Sequence, residues 1–151
     1  MATNLPAGPE LDRLACEALT REGCAGWGPR IEWWISNDGG RSLAIGFDRE
    51  EQALAYLDNP NHPHRSAGYE AVKKERFCRI SQDWREAGRA LEAMRGQGWE
   101  WDATSLGDGK PFDCTFARFN ARGELHTSIG VEGDTGPHAI ALAIVAALPC
   151  E

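Results

Sequence analysis

The chain has 151 residues, with 23 Asp and Glu against 16 Lys and Arg, so its formal net charge is −7. This length favours one domain, and an apolar fraction of 42% is too high for a disordered chain. The acidic balance argues against general nucleic-acid binding, whose affinity depends on neutralising phosphates. The sequence has neither a long apolar run that predicts a membrane span nor an N-terminal secretory pattern. We therefore expect a cytoplasmic protein that does not contact membranes.

The five cysteines show no C-x-x-C spacing, which disfavours a zinc knuckle or a thioredoxin-like motif. They are Cys16, Cys24, Cys78, Cys114 and Cys150. We expect reduced thiols, some of them buried as small apolar side chains.

The first half predicts a helix, a hairpin and a second helix. Pro9 opens a helix that ends near Gly23, with apolar residues at helical spacing. Apolar runs at 31–35 and 42–47 flank an Asn-Asp-Gly-Gly turn, which is typical of a β-hairpin. Asp48 and Glu51 indicate the start of a short helix through Leu57. Residues 58–66 are predicted to form a loop, and residues 67–76 one or two further helical turns.

The second half predicts a helix, three strands and a helix. Ser81 is the predicted N-cap of a helix that ends at Gly96. Its expected inner face consists of Trp84, Ala87, Gly88, Leu91 and Met94. Residues 99–103, 112–116 and 124–131 alternate between apolar and polar, as half-buried strands do. A helix over 137–148 is apolar nearly all round, so it should be buried. The sequence thus predicts an α/β (α+β) protein with an antiparallel sheet packed by helices.

The α-β-β-β-α order of the second half is similar to that of double-stranded RNA-binding domains. Such domains need cations at the start of the last helix to meet phosphates, whereas this chain has Glu132 and Asp134 there. Residues 81–151 hold 11 acidic and 6 basic residues. RNA binding is therefore not expected.

A second resemblance fits the charge better. Residues 7–14, Ala-Gly-Pro-Glu-Leu-Asp-Arg-Leu, resemble the A-G-x-E-L-D-x-L helix of a family of small phage proteins, the phage ABA sandwich domain. Residues 80–83, Ile-Ser-Gln-Asp, followed by Ala-Leu-Glu-Ala-Met at 90–94, are similar to its Y-S-T-D … V-V-E-K-M helix. Residues 137–140, Pro-His-Ala-Ile, resemble its ending. The resemblance covers 7–20 and 80–149, about half of the chain.

The resemblance implies an α-β-α sandwich of phage or prophage origin, and no reaction or catalytic residue. Where the family usually has a Trp in mid-helix this chain has Gly88, and Trp84 one turn earlier could fill that space. Its usual Cys-Arg pair near the end is Ala141-Leu142 here. We expect one domain over 1–151, with an N-terminal helix at 7–20, a variable insert with a Trp-rich hairpin at 21–79, and the α-β-β-β-α unit at 80–149.

The insert carries the candidate ligand site. Six tryptophans are more than a small core needs, and adjacent Trp33 and Trp34 must point to opposite faces of a strand. An aromatic wall with a few cations suits a nucleotide-sized anion. The candidate residues are Trp33, Trp34, Arg30, Arg41, Lys73, Lys74, Arg76 and Arg79. The alternative interpretation is that both tryptophans are core and that the Lys-Arg run is a solvated helix face.

Two other groups are weaker candidates. His62 and His64 share a loop with Asp58 and Asn61, and Glu70 lies nearby, but the spacing is not that of a zinc site. The pairs Glu100/Asp102 and Glu132/Asp134 are carboxylates on predicted solvated faces, and acid–base work would need their pKa values to differ. We predict no cofactor and no resident metal.

The sequence as a whole favours a non-enzymatic phage-type binding protein. It would sequester a small anionic ligand, such as a nucleotide signal of a bacterial defence system, or bind a host protein. One alternative is a metal-dependent hydrolase or nucleotide-modifying enzyme that uses His62 and His64. Another is a homodimeric module that pairs through the aromatic hairpin.

Overall fold

The computed structural model describes residues 4–37, 39, 41–61 and 68–149, apart from the side chain of Ile45. Helices and strands in this part of the chain follow one another as α1 (Pro9–Arg21), β1 (Arg30–Ser36), β2 (Ser42–Phe47), α2 (Glu50–Leu57), β3 (Glu70–Arg76), α3 (Trp84–Gly96), β4 (Glu100–Ser105), β5 (Phe112–Phe119), β6 (Leu125–Gly133) and α4 (Gly136–Ala147). The predicted class is confirmed, since helices accompany two antiparallel sheets. No helix in the described residues is both long and apolar enough to cross a membrane.

Two compact units divide the chain. Unit 1 comprises Met1–Gly28 and Phe77–Glu151, and unit 2 comprises Pro29–Arg76. Unit 2 overlaps most of the predicted variable insert at 21–79. It is nearly neutral, with seven Lys and Arg against eight Asp and Glu, so most of the negative charge belongs to unit 1. The expectation of a single domain stays a prediction.

Unit 1 is built on an antiparallel sheet of order β4-β5-β6. The central strand points Cys114 and Phe116 into the core, where both are fully buried. Residues directly opposite one another share a face, so Trp101 and Ile129 flank Phe116 on that inner face. The three helices of this unit all contribute to the same buried cluster. The α-β-α layering implied by the resemblance stays a prediction for the chain as a whole.

Helix α4 lies at the centre of unit 1. Each residue from Gly136 to Ile144 is buried, as its apolar composition predicted. One side of the helix packs on β5 and β6, and other sides contact α1 and α3. The helix therefore has no face free to be polar.

Hydrogen bonds at the start of α4 hold the N-terminal segment. Thr135 is the N-cap, and its hydroxyl accepts from the His138 N–H. The buried His138 ring accepts from the Asp134 N–H through Nδ1 at 3.0 Å, and its Nε2 lies 2.8 Å from the Leu5 carbonyl. This geometry assigns the Nε2–H tautomer, with Nε2 donating to Leu5.

A buried carboxylate connects α1 to the segment before α3. Asp12 is 2% exposed, and its two oxygens accept from the Ser81 N–H and from Gln82 Nε2, each at 2.7 Å. Gly8 donates its N–H to the Ser81 hydroxyl at 3.0 Å. The predicted N-cap at Ser81 is therefore wrong. Asp83 caps α3 instead, with its carboxylate accepting from Arg85 and Glu86 N–H groups, and Ser81 joins the bond network to α1.

In its described residues, unit 2 contains a sheet of order β2-β1-β3 and the helix α2. The predicted hairpin is confirmed, although its turn residues 38 and 40 lie outside the described residues. Helix α2 buries Ala53 and Leu57 against Ile35 and partly buried Trp33, as expected.

The helical prediction for 67–76 is wrong. Residues 70–76 form strand β3, which pairs with β1 over seven consecutive residues from Arg30↔Arg76 to Ser36↔Glu70. Glu, Ala, Lys and Arg favour helices when isolated, but here pairing with the central strand decides the conformation.

We predict that Asp12→Ala lowers the free energy of unfolding by about 3 kcal/mol, because it leaves the buried Ser81 N–H without an acceptor. Asp12→Asn, which retains one acceptor oxygen, should lose about half as much. Urea denaturation followed by circular dichroism measures both. Asp108→Ala in an exposed turn is the control, and an equal effect of Asp12→Ala and Asp108→Ala would contradict the prediction.

Burial also determines the pKa and the reactivity of the cysteine thiols. Cys16, Cys24, Cys78 and Cys114 are free, while Cys150 lies outside the described residues. Burial raises the pKa of Cys16 and that of Cys114 to about 12, against an ordinary value of 9.0. Both thiols therefore stay protonated and unreactive in the folded chain.

Alkylation at pH 8.5 should accordingly leave Cys16 and Cys114 unmodified in the folded protein and modify both in urea, as read by peptide mass spectrometry. Because the unfolded chain releases these protons at lower pH than the folded chain, stability should fall as pH rises from about 9 toward 12. Rapid modification of either residue before unfolding would refute the assignment.

Candidate functional site

The sheet of unit 2 has two faces of different character. Alternate residues of a strand point to opposite faces, and cross-strand partners share a face. Trp33 and its partner Lys73 therefore lie on the α2 side, while Trp34 lies on the other. We call that second side the Trp34 face; its members are Arg30, Glu32, Trp34 and Ser36 of β1 with Glu70, Val72, Lys74 and Arg76 of β3.

The Trp34 face joins an indole to a group of charges. The Lys74 Nζ lies 5.7 Å from the centroid of the Trp34 ring, within the range of a cation–π contact. The indole N–H of Trp34 donates to Glu32 Oε2 at 3.2 Å. The Arg76 guanidinium donates to the same oxygen at 3.4 Å, so one carboxylate holds both neighbours.

Glu32 is the residue that sequence reasoning missed. It is 8% exposed, and the hydrogen bond from Trp34 together with the charges of Arg76 and Arg30 lowers the pKa of its carboxyl. The sequence signal for Glu32 was its spacing. It stands two residues before Trp34 and two after Arg30, so the three side chains share one face of a strand. Glu32 forms an ion pair with Arg76. The other two cations of the Trp34 face, Arg30 and Lys74, form no ion pair with a carboxylate in the described residues.

The structure brings four of the eight candidate residues together and separates the rest. Arg30, Trp34, Lys74 and Arg76 share the Trp34 face. Trp33 and Lys73 lie on the opposite face, as predicted for adjacent tryptophans. Arg41 closes the turn with Asn37 beyond the Ser36 end of β1, about 20 Å from Arg30 by strand rise. Arg79 belongs to unit 1, where it donates to Gln82.

Cations also cover tryptophans in unit 1. Arg118 stacks on Trp99 at 4.4 Å, Arg89 on Trp27 at 4.9 Å and Arg95 on Trp101 at 5.6 Å. With the Trp34 pair this makes four such contacts in the described chain, where about two are expected for its length. Much of the tryptophan excess is therefore structural, with guanidinium groups covering the faces of the indole rings.

A shallow groove of about 580 Å³ lies beside α3 in unit 1. Its lining is Ala25, Trp27, Gly88, Arg89, Glu92 and Ala93. A Cβ built on Gly88 would meet nothing within 4 Å, so no side chain fills the space. Trp84, expected to point inward and to fill it, is 59% exposed and instead lies against Gly136 and Phe112.

The outer face of the unit 1 sheet is acidic. Glu100 and Asp102 are exposed on β4, as predicted, and Asp113 lies directly opposite Glu132. Like charges in cross-strand pairs destabilise a sheet slightly. Glu100, Asp102 and Glu132 are exposed to solvent, as expected for a solvated face. No contact of these carboxylates within the described residues indicates acid–base chemistry.

The structure does not test the predicted metal site at His62 and His64. His62 and His64 are not among the described residues. Within the residues that are described, no three His, Cys, Asp or Glu side chains are grouped so as to hold a metal ion. An enzyme using His62 and His64 stays a prediction.

Comparisons with known proteins add no family. No family model, no curated protein and no solved structure matches this chain. The resemblance to the phage ABA sandwich domain stays a prediction, although two of the motifs that carry it, around Asp12 and Ser81, contact each other through hydrogen bonds.

Gly88 generates a prediction of its own. Glycine in a helix interior costs about 1 kcal/mol relative to alanine, and Gly88 has room for a Cβ, so Gly88→Ala should stabilise the fold by about 0.5–1 kcal/mol. Gly133→Ala is the contrasting variant, because its Cβ would lie 2.5 Å from the Ala139 nitrogen and must destabilise. Thermal denaturation measures both, and a loss of stability in Gly88→Ala would contradict the prediction.

Proposed function

We propose that this chain is a non-enzymatic binding protein whose Trp34 face takes a small aromatic anion of the nucleotide type. The observation that carries the proposal is the clustering of Trp34 with Lys74, Arg30 and Arg76 on one face of a three-stranded sheet. An indole supplies a stacking surface for a base, and guanidinium groups bind phosphate in bidentate fashion.

The charges of the face favour a ligand with few negative charges. Glu32 engages Arg76, which leaves Arg30 and Lys74 as the cations without a described ion partner. The Lys74 ammonium lies over the ring where a base would stack, so ligand binding requires it to move aside toward the phosphate. A long flexible lysine side chain makes that rearrangement with little cost, whereas Glu32 is fixed by two hydrogen bonds.

The same proposal includes the origin, the biological role and the cellular location of the protein. A phage origin and a counter-defence role rest on the sequence resemblance alone, and the cytoplasm of a bacterial host is the location that this resemblance and the free thiols support. Binding of a host protein, or pairing of two chains through the hairpin, remains the alternative use of the same aromatic surface.

The test is calorimetric titration with mono-, di- and cyclic nucleotides, with nucleosides and pyrophosphate as probes for the base and the phosphate alone. We expect Trp34→Ala to abolish binding and Lys74→Ala to weaken it about 3- to 10-fold, the usual range for one partly exposed charge contact. Glu32→Gln should strengthen binding, because it removes the negative charge beside Arg76.

The matched control is Lys73→Ala, since Lys73 is the neighbouring lysine on the opposite face of the same strand. Circular dichroism and melting temperature confirm that each variant folds. Absence of nucleotide binding at about 1 mM, the limit of weak affinity, or equal losses in Lys73→Ala and Lys74→Ala, would refute the proposal.

A further inference from the structure

Three side chains of the Trp34 face stand in a fixed order along β1. From Trp34 toward the start of the strand, every second residue lies on this face, first Glu32 and then Arg30. A strand rises about 3.3 Å per residue, so Glu32 lies about 7 Å and Arg30 about 13 Å from Trp34 along the strand. An aromatic ring, a hydrogen-bond acceptor and a cation therefore follow one another in a row.

The cation at the end of this row has a second cation opposite it. Arg30 is the direct cross-strand partner of Arg76 on β3, and both residues are exposed. Like charges in directly opposite positions destabilise a sheet, and the ion pair of Glu32 is with Arg76. A guanidinium has five N–H donors, so Arg76 retains donors for a ligand while it holds Glu32. An anion bound between the two arginines relieves their repulsion.

Glu32 has one carboxylate oxygen available to a ligand. Its Oε2 accepts from both Trp34 and Arg76. Its Oε1 accepts no hydrogen bond in the part of the chain that the structure describes, and this oxygen is not fully buried. The hydrogen bond from Trp34 lowers the pKa of the carboxyl, so at neutral pH both oxygens only accept hydrogen bonds. The part of a ligand that lies over Glu32 must therefore offer a donor, because a phosphate oxygen would be repelled.

The order of the row matches the order of the parts of a ribonucleotide. The base stacks on the indole, the ribose hydroxyls donate to Glu32, and the phosphate binds the two guanidinium groups. An acidic side chain accepts from the ribose 2′-hydroxyl in dinucleotide-binding folds for the same reason. Lys74 is the cross-strand partner of Glu32, so the movement that uncovers the Trp34 ring also opens the way to the carboxylate. A 2′-deoxyribose would bring one donor fewer to Glu32.

We propose, on the basis of the nucleotide binding proposed above, that the Trp34 face selects ribonucleotides against 2′-deoxyribonucleotides through Glu32, with the phosphate held between Arg30 and Arg76. Glu32 then contributes selectivity at a cost in affinity, because its negative charge also repels the phosphate. For this reason Glu32→Gln strengthens the binding of nucleotides in general and loses the preference for ribose.

The test is calorimetric titration with the four ribonucleoside 5′-monophosphates and their 2′-deoxy counterparts. We expect the wild-type protein to bind a ribonucleotide about tenfold or more tightly than its deoxy counterpart, the usual effect of one hydrogen bond to a charged group. In Glu32→Gln both affinities should rise, and their ratio should fall to about threefold or less, because a neutral acceptor replaces the carboxylate. A change in the stability of the sheet alone would leave this ratio unaltered.

A second variant separates the phosphate site from the ribose site. Arg30→Gln should reduce the preference for nucleotide over nucleoside about 3- to 10-fold, the usual range for one partly exposed charge contact, and leave the ribose ratio unchanged. The matched control is Glu75→Gln, which makes the same substitution as Glu32→Gln on the α2 side of the sheet, where Glu75 pairs with Ile31. This control should leave both ratios as they are in the wild-type protein.

The outcomes distinguish the selection from nucleotide binding itself. Equal affinities for ribonucleotides and deoxyribonucleotides in the wild-type protein, with binding still abolished by Trp34→Ala, would overturn the selection and leave the proposed function standing. An unchanged ratio in Glu32→Gln, or an equal fall in Glu75→Gln, would also overturn it. Absence of binding by both kinds of nucleotide at about 1 mM would refute the proposed function and the selection with it.

Discussion

Burial of α4 on all sides is the constraint on which unit 1 depends. A helix without a polar face is stable only if other elements surround it, and here the sheet, α1 and α3 together do so. The polar groups at its start are satisfied locally, by the Thr135 hydroxyl and by His138, whose other nitrogen reaches Leu5. Because α4 must be covered, the N-terminal segment with Leu5 and α1 packs against it in the same core as α3 and the sheet.

That constraint explains why the sequence predicted unit 1 so well. The apolar composition of α4 and the alternation of β4 to β6 each reflect burial by fixed neighbours, so local pattern and tertiary structure agree. The N-cap of α3 was missed by two residues because both Ser81 and Asp83 are good caps. Only the position of Asp12, 69 residues earlier in sequence, decides that Ser81 bonds to α1 instead.

Unit 2 was less predictable because its sheet depends on one pairing between distant segments. Glu70–Arg76 has the composition of a solvated helix, and no periodicity in it reveals that β1 is its partner. Once that strand is placed, half of the candidate cations share a face with Trp34 and the others do not. The sequence predicted which types of residue form the candidate site. The pairing of β1 with β3 determines which of the candidate residues share the Trp34 face, and it adds Glu32 at the centre of that face.

The division of the chain into units has a consequence for synthesis on the ribosome. All the strands of unit 2 lie within Pro29–Arg76, so this unit is available to fold as soon as that segment has left the exit tunnel. Unit 1 must wait, because α1 is made before unit 2 and α4 is made after it. Until α4 has been made, the apolar residues of α1 lack the helix that they pack against, and they are open to chaperones.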